Sequence, residues 1–459
     1  MKKIISTLAL ATLAFGSVFA DVTFTTNYRT RMVGFSRVMN ADKYTKNANS
    51  DATATKPTDE KFNSYLFAQR AYDSASDDFA VAVSNDFGGA KVTVNPTLAT
   101  RGKADDKSPS FSEYYGYVNL GAIKLTAGLV DGINNGSYRL TGEVGHNLCG
   151  DTSDAYGQLG SMHTKAISFK ADDIAFFDGK NRPVGMITYK GEFGDTVVTA
   201  DLVAAAIDNT NKDTTWDWDD PKDGSKAGSK MHSALGARVD VKLPFAGIQF
   251  VFKQHANTTA VAKRSVALSV APNLGENMSL ALSTALGYYN GDLTDFNGDV
   301  RFVYKAGNMS FTSLNKIGFV TDSAVNNAAY NPVGYDAHIG LLFLDKSGAL
   351  NKAKNAGEDS QSSMWNLLGF SMALSEKLTV FANVGDQIGF NAGKKEIGDY
   401  GMELFVAPGV QFFATKNASI TTALRVGVNN LLMDKDQEAY KDIEPAYGIL
   451  VPVVLRVQL

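Results

Sequence analysis

The sequence predicts an all-β protein, a transmembrane antiparallel β-barrel of about 18 strands, within a range of about 16 to 20. Three observations predict it. Segments of roughly 9–14 residues alternate apolar and polar side chains, a length suited to tilted crossing strands. Short turns between them alternate with longer polar loops. Beyond residue 20 no apolar run approaches the roughly 18 residues that a spanning helix needs. Composition leans the same way: 42 Gly, 18 Tyr and 27 Phe stand against 11 Pro, and Thr, Val and aromatic residues recur in the alternating segments. A soluble β-sandwich alternates too, but it does not pair an apolar face with a face bearing Arg and Lys in strand after strand.

Residues 1–20 stand apart from the fold. Lys2 and Lys3 form a basic start, Ile4 to Phe15 an apolar run, and Val18-Phe19-Ala20 a small-residue cleavage site. This is the pattern of a secretory signal peptide cut before Asp21; a first transmembrane helix would need a longer run. Residues 21–459 then form the barrel, and export plus a barrel implies a bacterial outer membrane. The net charge of −4 is spread along the chain, without a basic footprint for nucleic acid. A single cysteine, Cys149, allows no internal disulfide.

Taken in order, Val22, Phe24, Tyr28 and Met32 alternate with Thr23, Thr25, Asn27, Arg29 and Arg31, which reads as a first strand. Phe35 to Lys61 is polar and reads as a loop. Phe62 to Tyr72 is the return strand, with Arg70 on its polar side. Phe79 to Leu98 reads as one long strand with a bulge at Gly88-Gly89, and two strands as the rival. A hairpin follows, Ser112–Leu120 and Ile123–Asp131 around Gly121-Ala122. Ile123, Leu125, Ala127 and Leu129 share its apolar face, leaving Lys124 and Thr126 on the other. Then Gly132 to Arg182 shows no period, and a loop of that length is functional or else evidence against the assignment.

Beyond the loop the unit repeats: Val184–Phe193 with Asp195–Ile207, Met231–Leu243 with Phe245–Asn257, and Lys263–Pro272 with Asn277–Asn290. Phe296–Lys305 pairs with Asn308–Phe319, Met364–Leu374 with Leu378–Gly389, and Tyr400–Ala414 with Ala418–Asn429. Tyr447–Leu459 is the last strand. The alternating stretch from Tyr335 to Phe343 would break strand parity, so it is assigned to the Thr321–Ser363 loop.

Tyr115-Gly116-Tyr117-Val118-Asn119-Leu120-Gly121 through Lys124-Leu125-Thr126-Ala127-Gly128 resembles the corresponding hairpin of Gram-negative general porins. In that family the hairpin precedes a third external loop folded into the lumen, where it narrows the channel. Gly132–Arg182 is the third long loop here and follows the fifth strand, the matching place. Leu455-Arg456-Val457-Gln458-Leu459 resembles the terminal signal read by the barrel assembly machinery, although Leu459 stands where the family carries an aromatic. The resemblance implies a water-filled channel for small hydrophilic solutes, surrounded by outer-membrane lipid and assembled as a homotrimer.

The loop supplies acids, among them Glu143, Asp172, Asp173 and Asp178, and the barrel wall supplies bases at Arg29, Arg31, Arg70 and Lys124. Facing rows of opposite charge at a constriction set up a field that sorts ions. Arg238, Arg425 and Arg456 are further lumen-facing positions. Taken singly, each of these reads first as a solvated charge on a wide lumen; the wall cluster as a group carries the constriction hypothesis. The stretch Trp216 to Gly224 holds spaced carboxylates, but Gly228 stands where a calcium loop needs its last glutamate. The five histidines are scattered and no nucleophile is marked, so neither metal, cofactor nor enzymatic chemistry is expected. Two other functions fit a barrel: a channel selective for a sugar or organic acid, and a surface adhesin or receptor.

Overall fold

The computed structural model describes residues 21–39, 65–69, 78–95, 110–130, 183–205, 235–255, 263–289, 292–320, 362–391, 396–431 and 446–459. The Gly132–Arg182 loop, Arg70, the stretch Trp216 to Gly224 and the Tyr335–Phe343 stretch lie outside them.

Twenty strands form one antiparallel sheet. They are β1 (Asp21–Met39), β2 (Tyr65–Gln69), β3 (Asp78–Asn85), β4 (Gly88–Asn95), β5 (Ser110–Leu120), β6 (Ile123–Leu129) and β7 (Pro183–Phe193). Then come β8 (Thr196–Ala205), β9 (Leu235–Lys242), β10 (Ala246–His255), β11 (Lys263–Pro272), β12 (Met278–Tyr289), β13 (Asp292–Ala306) and β14 (Met309–Val320). The series ends with β15 (Ser362–Ser375), β16 (Leu378–Asn391), β17 (Glu396–Thr415), β18 (Ala418–Ala423), β19 (Arg425–Leu431) and β20 (Ala446–Gln458). No helix among the described residues is long and apolar enough to cross a membrane.

The pairing runs from β1 to β3 and onward in chain order to β17. β17 pairs both β18 and β19, both of these pair β20, and β20 pairs β1. The hydrogen-bonded ladder thus returns to the strand it began on. Among the described residues each strand from β3 to β20 has a partner on both sides, which is how strands avoid presenting bare backbone to lipid.

Two pairs of strands act as single crossings. β1 is long enough to hold β3 along Asp21–Asn27 and β2 along Met32–Ser36. β18 and β19 follow one line, broken at Leu424. Thr422 pairs Val453 and Arg425 pairs Leu450, so the break lies opposite Val451 and Pro452, and Pro452 has no N–H to give the ladder. Counting each pair once brings the twenty strands to eighteen crossings.

That number matches the expected count, but the strands at the start are partitioned differently. Phe79–Leu98 is not one bulged strand. It is β3 and β4, joined by a tight turn at Asp86-Phe87. The Asn85 side chain makes the turn: its Oδ1 accepts from the backbone N–H of Phe87 and of Gly88, both at 3.0 Å. The stretch from Phe35, assigned to a loop, instead continues β1 as far as Met39. Splitting one strand and merging two others cancel, so β6 remains the fifth crossing.

The short turns share one rim. Asx and Ser/Thr turns recur there: Asn273 Oδ1 accepts from Gly275 N–H at 3.1 Å, and Ser375 and Thr415 hydroxyls accept from Lys377 and Asn417 N–H at 3.2 Å. Gly194 and Gly307, at φ 60° and 59°, supply the left-handed residue that two other turns require.

Side chains alternate in burial along each strand. On β15, Leu367 and Gly369 are buried while Leu368 and Phe370 are exposed, and the same holds round the ring. The exposed set is apolar: Leu125, Ile187, Leu202, Val239, Phe250, Leu268, Leu282 and Val384 all face out. The buried set is mixed. It holds Leu314, Leu367 and Phe405, but also Glu113, Asp201, Arg238, Asp240 and Arg425. An inverted surface of this kind, apolar outside and polar inside, is what burial in lipid selects.

Candidate functional site

The inward face divides into two arcs. From β4 to β10 it is polar and charged. Cross-strand pairing sets one row: Asn119, Lys124, Thr188, Asp201 and Arg238 are successive partners on β5 to β9. A second row, one pleat nearer the short turns, runs Lys190, Thr199, Asp240, Gln249, Ser269 and Ser283 on β7 to β12. Successive partners on one face stand within side-chain reach, so register alone assembles these rows.

Arg238 is their junction. Its Nη2 donates to Asp201 Oδ2, and its Nε lies 3.3 Å from Asp240 Oδ2. Thr188 Oγ1 donates to the other Asp201 oxygen at 2.5 Å, and Gln249 Nε2 donates to Asp240 Oδ1 at 2.8 Å. The row continues neutrally, with the Ser269 and Ser283 hydroxyls 2.7 Å apart. Two strands earlier a smaller cluster repeats the theme: Lys91 Nζ lies 2.5 Å from Glu113 Oε2, which also accepts from Thr93 Oγ1 at 2.6 Å. Lys124 lies between the clusters, its ammonium 3.9 Å from the centre of the Tyr117 ring.

From β14 to β18 the inward face mixes apolar and neutral polar side chains, with Thr312, Asn383, Ser419 and Thr421 buried on it. Leu314, Leu367, Phe381 and Phe405 are buried there. Gly385 stands directly across from Phe405, and Gly409 across from Phe381. A Cβ on Gly385 would meet the Phe405 ring at 2.2 Å, and one on Gly409 would meet the Phe381 ring at 2.4 Å. The two rings therefore lie flat over bare backbone. Arg425 is set into this arc with its guanidinium carbon 4.5 Å from the Phe405 ring centre.

A cavity of about 900 Å³ opens beside the short-turn rim between β7 and β11. Lys190, Thr199, Asp240, Lys242, Gln249 and Asn273 are among its lining residues. Among the described residues no group of three His, Cys, Asp or Glu could hold a metal ion.

The residues singled out in the sequence fall in different places. Arg238 and Arg425 are buried on the inward face, and Lys124 is half-buried there. Arg29 stands across from Arg456 in the β1–β20 ladder, with Arg31 across from Val454. Lys124 is four crossings away on β6, so it neighbours Thr188 and Asn119 instead of the β1 arginines. Arg70, Glu143, Asp172, Asp173 and Asp178 lie outside the described residues. The acids that do meet a wall base are Glu113, Asp201 and Asp240. Their polar phase was visible in the sequence; the register that joins them to Lys91 and Arg238 was not.

Apolar outside, charged inside, short turns at one rim: this is the build of an outer-membrane β-barrel. Solved structures similar to this chain are outer-membrane proteins of Gram-negative bacteria. The anion-selective porin from Comamonas acidovorans is 11% identical, with 96% of this chain and 100% of that one covered and a TM-score of 0.44. The outer-membrane channel DcaP of Acinetobacter baumannii is 10% identical over 96% and 98%, with a TM-score of 0.44. OccK3 of Pseudomonas aeruginosa is 9% identical over 96% and 96%, at 0.47. No family model and no curated protein matches the sequence.

Proposed function

We propose that this chain forms a water-filled outer-membrane channel through which small hydrophilic solutes and ions diffuse. The observation that carries the reading is the Asp201–Arg238–Asp240 network. It lies on the inward face of strands whose other face is apolar. The network is packed into the wall, and the less buried inward side chains beside it, Lys124, Lys190 and Thr199, can border the water of a lumen. Reconstitution into planar bilayers tests it. Ohmic single-channel steps are the expected result; a folded, inserted protein without conductance overturns the proposal and favours an adhesin or receptor.

The constriction belongs to the same proposal. Gly132–Arg182 folds into the lumen and sets Glu143, Asp172, Asp173 and Asp178 against Arg29, Arg31, Arg70 and Lys124. Neutralising Arg29, Arg31 and Arg70 together then shifts the reversal potential in a salt gradient toward cation preference. An unchanged potential removes these residues from the constriction. The cavity at the short-turn rim favours a second reading, a solute-selective channel, because it gathers Lys190, Lys242, Gln249 and Asn273 round one space. One sugar or organic acid blocking the conductance at micromolar concentration would mark that case.

A further inference from the structure

Two prolines flank one point in the wall. On β17, Pro408 lies across from Leu424, whose N–H donates to the Pro408 carbonyl at 2.8 Å. Neighbouring residues of a strand aim their N–H and C=O groups to opposite sides, so those of Ala423 point at β20. There Ala423 stands across from Pro452, in step with Thr422 across from Val453 and Arg425 across from Leu450. Residues facing each other in this way exchange two hydrogen bonds, of which a proline accepts one and cannot return the other. The Ala423 and Leu424 carbonyls, adjacent in one chain, therefore both lose their ladder donors. Beyond β20 the register with β1 shifts at the same level, between Val33 and Phe35. Proline within a sheet is otherwise confined to edges, strand starts and bulges, so two beside one link mark a gap in the ladder.

The gap sits within the apolar belt. Leu424 is six residues past Ala418, where β18 begins. At about 3.3 Å per residue and a tilt of about 40°, that is roughly 15 Å above the short-turn rim. The lipid side is aliphatic, with Val406, Leu424 and Val426 exposed. The lumen side carries Ala407, Gly409 and Ala423, whose side chains end at Cβ or before it. The Phe381 ring lies over Gly409 and packs with Ala423, covering them. Arg425 follows directly, stacked on Phe405. Acyl chains cannot donate to two bare carbonyls. A slender apolar molecule with a donor at one end can. We propose that the Pro408–Leu424–Pro452 gap is a side portal between bilayer and lumen, and that its occupant is a long-chain carboxylic acid. The neutral acid donates its O–H to the Leu424 or Ala423 carbonyl from the lipid side. With the Phe381 ring displaced, the head passes Ala407 and Ala423 and meets the Arg425 guanidinium. There it ionises, and its proton goes to lumen water. The inference rests on the membrane-barrel reading but not on conductance.

The test places the full-length protein in phospholipid vesicles containing palmitic acid with a diazirine near its carboxyl end. Irradiation and peptide mass spectrometry locate the adducts. The wild type is expected to be labelled at Phe381 and Leu424, and far less at Leu202 or Leu268, outward residues elsewhere on the wall. Pro408→Ala with Pro452→Ala returns both missing N–H groups. Labelling of Phe381 should then fall several-fold, with the heat-sensitive gel mobility of a folded barrel retained. A second comparison needs no variant: the methyl ester of the probe has neither donor nor charge, and should label Phe381 several-fold less than the acid. Absence of label at Phe381, unchanged Phe381 labelling in the folded double variant, or equal labelling by acid and ester each overturns the proposal. A wild type that never enters the vesicles overturns it together with the membrane reading.

Discussion

Replacing Arg238 by Met asks whether the wall network is dry or wet. Met keeps much of the side-chain volume and removes the charge. It leaves Asp201 and Asp240 on adjacent strands, their side chains only 2% and 10% exposed. In a dry site, removing one partner of a buried ion pair costs about 3–5 kcal/mol. In a hydrated one the pair contributes about 0–1 kcal/mol. Two hydrogen bonds persist in the variant, from Thr188 to Asp201 and from Gln249 to Asp240. They go on stabilising the carboxylates, which sets the loss at the lower end, about 3 kcal/mol. That is roughly a hundredfold in the folding equilibrium, at about 1.4 kcal/mol per tenfold. Urea titration of the protein in lipid vesicles, followed by tryptophan fluorescence and gel mobility, reads it as a lower midpoint with unchanged slope. Adding Asp201→Asn and Asp240→Asn should recover at least half, because the uncompensated charges are gone. A loss under about 1 kcal/mol would refute the reasoning and make the network a solvated one.

Other expectations are simpler. Gly385→Ala should destabilise by about 1–3 kcal/mol through overpacking against Phe405, and Phe405→Leu in the same chain should restore much of it, both read by the same titration. Asn85→Ala removes the acceptor for two turn amides and should cost about 1 kcal/mol. Leu459 and Thr26 exchange two backbone hydrogen bonds, each 2.9 Å. Deleting Leu459 should slow refolding into vesicles if those bonds matter. Slowing confined to cells would instead mean that the last residue is read by assembly machinery.

The sequence made some strands plain and concealed others for physical reasons. β6, β9 and β20 alternate cleanly because one face meets lipid and the other does not, so period alone located them. The second half of β1 was hidden because its register shifts between Val33 and Phe35, which puts the following residues out of phase with the first half. β3 and β4 looked like one strand because a turn of two residues leaves almost no polar gap. At the site, Arg238 and Arg425 were found from phase. Asp201 was missed because its role depends on which residue of β9 stands opposite, and that pairing is set by strand stagger.

The return of the ladder to β1 has a bearing on how the chain is made. Asn27 pairs Gln458, 431 positions away in sequence (458 less 27). Every other neighbouring pair in the ring can zip locally as the chain emerges, one hairpin after the next. This one cannot begin until synthesis and export are complete, and the entropy of closing so long a loop opposes it until the remaining strands stand ready. The first strand must therefore wait with one side unsatisfied for almost the whole of assembly. Of all the junctions in the wall, this seam forms last, and the break opposite Pro452 lies beside it.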